Sequence, residues 1–325
     1  MGKYKHYILI TLALLVVAVI LFLKDKPGTL KVDNRIFSIS DTAVVTKIII
    51  NDGRTGLALE RSGLNWQINH SFHANLRAIR GLLHLLMNLE ISSPVPKSMK
   101  QEVLKSFNHR SILVSIESSG NVIKAYRLTE NDNLKIGSFM MLRGDEEPYV
   151  VRIPGYDGRI SLLFSTDVKV WRDKTIFQYR PADILSIEVD YNSNPRASFG
   201  YYFFRPDNIQ IKSKSLNQSV TISKEKARDY LNHFASVSFV DQITKGTKAI
   251  FDSLKILQPY CEIQVKNIAN QINMVKTYRI SIPGQHGGFN PNFMYAVIQN
   301  DTIPVIIKYV DFDPIMKEYN DFASR

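Results

Sequence analysis

A repeat inside the chain narrows its fold more than any other feature, because a duplicated unit dictates the architecture twice. Ala43–Asp52 (AVVTKIIIND) and Ala182–Tyr191 (ADILSIEVDY) are both strand-like and stand 139 residues apart. Arg61 followed by Asn65-Trp66-Gln67-Ile68 is answered by Arg205 followed by Asn208-Ile209-Gln210-Ile211, at an offset that reaches 143. Ala78 and His84 match Ala227 and His233, Lys124–Leu128 matches Lys276–Ile280, and Asp145–Arg152 matches Asp301–Lys308. Short apolar strands resemble one another by chance, but five matches in one order with an offset that only grows are hard to obtain by accident. The pattern predicts two tandem modules, residues 43–177 and 182–321, joined by 178–181 and ending in a tail at 322–325.

Alternating apolar positions and polar turns such as Ser118-Ser119-Gly120-Asn121 predict antiparallel hairpins. Later strands of the first copy are expected at Ile112–Glu117, Val122–Leu128, Phe139–Leu142 and Tyr149–Ile153. From Asn75 to Glu90, Leu76, Ile79, Leu82, Leu83, Leu86 and Leu89 form one stripe opposite Arg77, Arg80, His84 and Asn88. That is a helix covering one face of a sheet. The expected class is α+β, two duplicated modules of antiparallel sheet with a covering helix, preceded by one transmembrane helix.

That transmembrane helix is read from residues 7–23, 17 residues without a charge, 13 of them Ile, Leu, Val or Phe. Those side chains favour insertion by roughly 4 to 8 kcal/mol. The run spans about 25 Å as a helix, and Lys3, Lys5, Lys24 and Lys26 extend their stems to either interface. A cleaved signal peptide competes, but Leu21-Phe22-Leu23-Lys24-Asp25-Lys26-Pro27 lacks small residues for cleavage. The expectation is an uncleaved anchor with a cytoplasmic tip at 1–6, a tether at 24–42, and the bulk of the chain outside the cytoplasmic membrane.

The formal charge is +11, which suits anionic lipid, acidic glycan or an acidic protein better than nucleic acid. The single cysteine, Cys261, excludes an internal disulfide and a multi-thiolate zinc site. No phosphate-cradling glycine loop and no GxSxG elbow is present. No catalytic residue, metal ligand or cofactor is therefore assigned, His70 and His73 being read as ordinary surface and Cys261 as a small buried hydrophobe.

Loops that break the symmetry between the modules are the candidate interaction sites. Arg152-Ile153-Pro154-Gly155-Tyr156-Asp157-Gly158-Arg159 displays a ring, an acid and two guanidinium groups on a turn, a set suited to a sugar or an anion. Its residues of interest are Arg152, Tyr156, Asp157 and Arg159, and the plainer reading is a surface turn. Trp171 and Arg172 either clamp a ligand or pin a helix to its sheet. His286 lies in the glycine-rich stretch Pro283–Pro291, which either admits a partner's backbone or is a hairpin end.

Ile136–Leu142, Pro148–Gly158, Trp171–Phe177 and Met294–Val297 together resemble the family called domain of unknown function 4340, over about Phe37 to Phe312. The resemblance implies a bacterial, membrane-anchored protein with an extracytoplasmic domain. Some proteins with this domain are similar to auxiliary parts of ABC-type transport systems linked to gliding motility. The family supplies no catalytic residues to carry over. The functional expectation is a non-catalytic interaction or assembly subunit with an envelope protein partner. A glycan- or lipid-binding module is the alternative, and a hydrolase with an unrecognised site is a third.

Overall fold

The computed structural model describes residue 15 and residues 33–130, 137–205, 208–285 and 287–323. The anchor expected at 7–23 lies outside the described residues, apart from Leu15. Among the described residues no helix is long and apolar enough to cross a membrane. The chain is α+β and almost wholly antiparallel, and it divides into two compact units between Arg172 and Asp173.

The first unit begins with β1 (Lys47–Asn51), β2 (Gly56–Ser62), β3 (Asn65–Ile68) and β4 (Phe72–His73). After α1 (Leu76–Asn88) come β5 (Glu90–Pro94) and α2 (Lys97–His109), then β6 (Ile112–Ser118), β7 (Asn121–Glu130), β8 (Ser138–Leu142) and β9 (Tyr149–Arg152). These nine strands form one sheet in the order β4-β3-β2-β1-β6-β7-β8-β9-β5. In β1 the alternation places Ile48 and Ile50 inward, fully buried. The β6–β7 hairpin turns at Ser119 and Gly120, which both have positive φ (49° and 84°), as a twist-matched two-residue turn requires.

Asn75 caps α1, its side chain accepting from the N–H groups of Arg77 and Ala78, and the helix buries Ile79, Leu82, Leu85 and Leu86 against the sheet while His84 stays exposed. The second helix, α2, and the strand before it are absent from the expected order. Its sequence, KSMKQEVLKSFNH, buries only Val103 and Phe107 and has no side-chain cap, so its periodicity is faint. It packs on a small separate cluster with Phe139, Met141 and Val150.

The described end of the expected tether, residues 33–42, is built into this unit. Phe37 is fully buried, Ile39 donates its N–H to the Leu86 carbonyl (2.9 Å), and Ile91 donates to Asn34 (2.7 Å). Three apolar residues, Ile36, Phe37 and Ile39, in a short polar stretch carry no sustained period, so the sequence offers no reason to place them in a core.

The second unit opens with β10 (Thr175–Phe177), followed by β11 (Ile184–Asp190), β12 (Phe199–Arg205), β13 (Asn208–Ser213) and β14 (Ser219–Ile222). Then come α3 (Lys224–Asn232), β15 (Val237–Ser238), β16 (Asp241–Gln242) and α4 (Thr247–Ile256), with β17 (Cys261–Asn267), β18 (Ile272–Ser281), β19 (Phe289–Ile298) and β20 (Val305–Lys308). β10 pairs with β15, and the other nine form a sheet ordered β14-β13-β12-β11-β17-β18-β19-β20-β16. Counted along the chain from β11, with β15 set aside, this is the same strand order as in the first sheet.

Cys261 starts β17 inside the second core, with no exposed surface, and burial pushes its thiol well above the ordinary range. We expect iodoacetamide to leave the native chain unmodified at neutral pH and to add one carbamidomethyl group in denaturant, read by intact mass.

Candidate functional site

Adjacent strands of the first sheet deliver charged and polar residues to one of its ends. β1 runs antiparallel to β6 and β6 to β7, so Asp52 after β1, Ser111 before β6 and Glu130 at the end of β7 share that end. Together with Arg54, His109, Arg110, Thr129, Arg159 and Ser161 they line an open cleft of about 320 Å³.

Glu130 is the buried member, with its side chain only 8% exposed. It accepts hydrogen bonds from the Ser138 hydroxyl (2.9 Å) and the Ser161 backbone N–H (3.0 Å), and the Arg159 Nε–H donates to its other oxygen. Register supplies the first of these, since Ser138 opens β8 directly opposite Glu130. The Ser138 oxygen in turn accepts from the Ile160 N–H (3.1 Å), so the start of the turn Ile160–Leu163 is tied to the same carboxylate. Burial pushes the Glu130 carboxyl up, but Arg159, Ser161 and Ser138 outweigh it and hold the group below its usual range.

Asp52 sits in the four-residue β1–β2 loop, which turns at Gly53 with φ of 83°. Its carboxylate accepts from the N–H groups of Thr55 (2.7 Å) and Arg54 (2.9 Å) and from the hydroxyls of Thr55 (3.2 Å) and Thr166 (3.0 Å). Those bonds hold its pKa at about 2. Both acids of the cleft are thus ionised and engaged, so neither offers a proton for general-acid chemistry at neutral pH. The Arg54 and Arg110 guanidinium groups are in the opposite condition. Both residues line the cleft and are exposed, and neither has an ion-pair partner among the described residues, although the Arg110 carbonyl accepts from Thr129 (2.5 Å).

Of the residues singled out in the sequence, Arg159 alone lines this cleft. Tyr156, 36% exposed, turns back over Gly158, where a Cβ would lie 2.4 Å from its ring, and its hydroxyl reaches the Arg159 carbonyl at 3.4 Å. Asp157 is exposed. Arg152, at the end of β9, reaches Glu90 at 3.4 Å with its side chain mostly in solvent.

Trp171 and Arg172 lie within the fold rather than at a cleft. Trp171 is 3% exposed, its indole N–H donates to the Ser165 carbonyl (2.8 Å), and its own carbonyl accepts from Asn75, the cap of α1 (2.6 Å). Arg172 is 5% exposed, with its guanidinium carbon 4.3 Å from the Phe72 ring centre. His286 lies outside the described residues. His70 Nδ1 lies 2.6 Å from a Glu60 carboxylate oxygen, and among the described residues no group of three His, Cys, Asp or Glu is placed to hold a metal ion.

Asp52, Arg54, Arg110 and Glu130 escaped the sequence reading because they come from three separate strand ends; Asp-Gly at 52–53 marks the turn but not its charge partners. No family model, curated protein or solved structure matches the chain.

Proposed function

We propose that the protein is a non-catalytic, single-pass membrane-anchored subunit of the cell envelope, a tandem duplication whose first unit docks an acidic group of an envelope protein partner. The observation that carries the docking reading is the imbalance within the cleft: its two carboxylates are spent on internal hydrogen bonds, while Arg54 and Arg110, which also line it, have no ion-pair partner among the described residues. An incoming carboxylate or phosphate meets guanidinium groups that need not first be freed from other partners. The shared strand order of the two sheets supports duplication, and the apolar run 7–23 supports the anchor. The resemblance to the domain of unknown function 4340 supports a place beside an envelope transport system.

A second reading, an acidic glycan as the ligand, is favoured by the half-open Tyr156 ring, whose hydroxyl reaches the carbonyl of the cleft residue Arg159, since such a ring can stack on a sugar. Cross-linking in intact cells followed by purification of the full chain tests the first reading. The Arg54→Glu, Arg110→Glu double variant should remain in the membrane fraction and recover its cross-linked partner at least about tenfold less well. Recovery at the wild-type level overturns the docking role. Loss of binding to acidic cell-wall fragments, with protein cross-links unchanged, selects the glycan.

A further inference from the structure

The second unit carries a groove with an apolar floor, and its strand pairs, set beside those of the first unit, account for it. In the first unit Arg61 on β2 faces Trp66 on β3, one pair in from the hairpin turn, with Leu59 facing Ile68 two pairs further along. In the second unit Phe203 on β12 faces Ile209 on β13, and Tyr201 faces Ile211 in the same sequence. Trp66 is 4% exposed and lies under the Arg61 guanidinium at 5.2 Å, so an indole closes this part of the first unit. Ile209 is much smaller than an indole. Where Trp66 has its counterpart, the second unit instead holds a groove of about 500 Å³ between β12, β13 and α3.

The floor is formed by Tyr201, Phe203, Ile209, Ala227 and Leu231. Phe203 remains 42% exposed, a large apolar surface left in water beside a groove it could help to fill. Tyr201 is 1% exposed, burial pushes its hydroxyl up to about 12, and that hydroxyl makes no hydrogen bond among the described residues. Charge is confined to the lip. Lys224 and Arg228, one helical turn apart on α3, both border the groove and have no ion-pair partner among the described residues. Glu225 between them also borders the groove; its own backbone N–H and the Ser223 hydroxyl at the helix start, and then the nearby Arg228 and Lys224 charges, hold it ionised, so the lip carries two cations against one acid.

An apolar trough of this size with two cations at its mouth suits a molecule with one apolar arm and one negative end. We infer that the groove binds a single acyl chain ending in an anionic head, the chain on Phe203 and Ile209 and the head between Lys224 and Arg228. The site is independent of the arginine cleft in the first unit.

The test is photolabelling of the full chain in phosphatidylcholine nanodiscs with a diazirine-bearing long-chain carboxylate, compared with the matching alkylammonium probe. The carboxylate should label peptides containing Phe203 and Leu231, and laurate should compete with it. Ile209→Trp, which restores the residue type used in the first unit, should lower that labelling at least about tenfold with the circular dichroism unchanged. Should that variant misfold, the exposed double substitution Lys224→Glu, Arg228→Glu decides, because it should shift labelling from the carboxylate to the alkylammonium probe. Equal labelling by the two probes, labelling confined to residues 7–23, or labelling undiminished in a folded Ile209→Trp chain overturns the inference.

Discussion

Replacing Phe37 by Ala should lower the stability of the first unit by about 3–5 kcal/mol, the usual cost of emptying a buried phenyl site. Phe37 has no solvent-exposed surface and meets Tyr126 edge-on at 6.0 Å and Tyr149 at 6.1 Å. Around it, Lys124 donates from Nζ to the Ile36 carbonyl (2.6 Å), so the segment is held by backbone and side chain together. Both tryptophans, Trp66 and Trp171, belong to the first unit, so their fluorescence during urea unfolding of the micelle-held chain reports on that unit alone. Tyr126→Phe is the matched control. The Tyr126 hydroxyl is buried without a hydrogen-bond partner among the described residues, so its removal should be neutral or gain about 1 kcal/mol. A Phe37→Ala midpoint within about 1 kcal/mol of wild type would mean that residues 33–42 are a dispensable strap after all.

How much of this was legible in the sequence depends on whether the information was local. The strand at Ile112, the hairpin at Ser119-Gly120 and the helix after Asn75 each carry their signal within a few residues, as alternation, a turn pair or a cap, and each is found within one to three residues of where the pattern places it. Phe37 and α2 failed for the converse reason: three apolar residues in a short polar stretch, or two buried positions in a polar helix, have no sustained period to read. The cleft failed on topology, because bringing Asp52, Arg110 and Glu130 together requires knowing that β6 lies between β1 and β7. The turn at 152–159 was legible as charged and aromatic, but its arginines part company in space: Arg159 turns to Glu130 and Arg152 to Glu90.

Glu130 concentrates the remaining prediction, because one buried carboxylate satisfies Ser138, the Ser161 N–H and Arg159 at once. Glu130→Ala should cost the first unit about 2–3 kcal/mol: the partly buried Ser161 N–H and Ser138 hydroxyl lose their acceptor, while the half-exposed Arg159 recovers much of its hydration. Glu130→Gln keeps an acceptor oxygen and should cost about 1 kcal/mol. Acid separates the two causes. The carboxyls of Glu130 and Asp52 are both held below their ordinary values of 4.5 and 3.8. Their contribution is therefore complete above those values and disappears as the pH falls through the lower folded values, for Asp52 down to about 2. The urea midpoint of the wild-type first unit, followed by tryptophan fluorescence, should fall as the medium is acidified through that window. Glu130→Gln should fall less steeply, and combining it with Asp52→Asn should flatten the curve further. An acid limb in the double variant as steep as in wild type would place the acid sensitivity elsewhere and leave the cleft's carboxylates without the internal role that frees Arg54 and Arg110 for a partner.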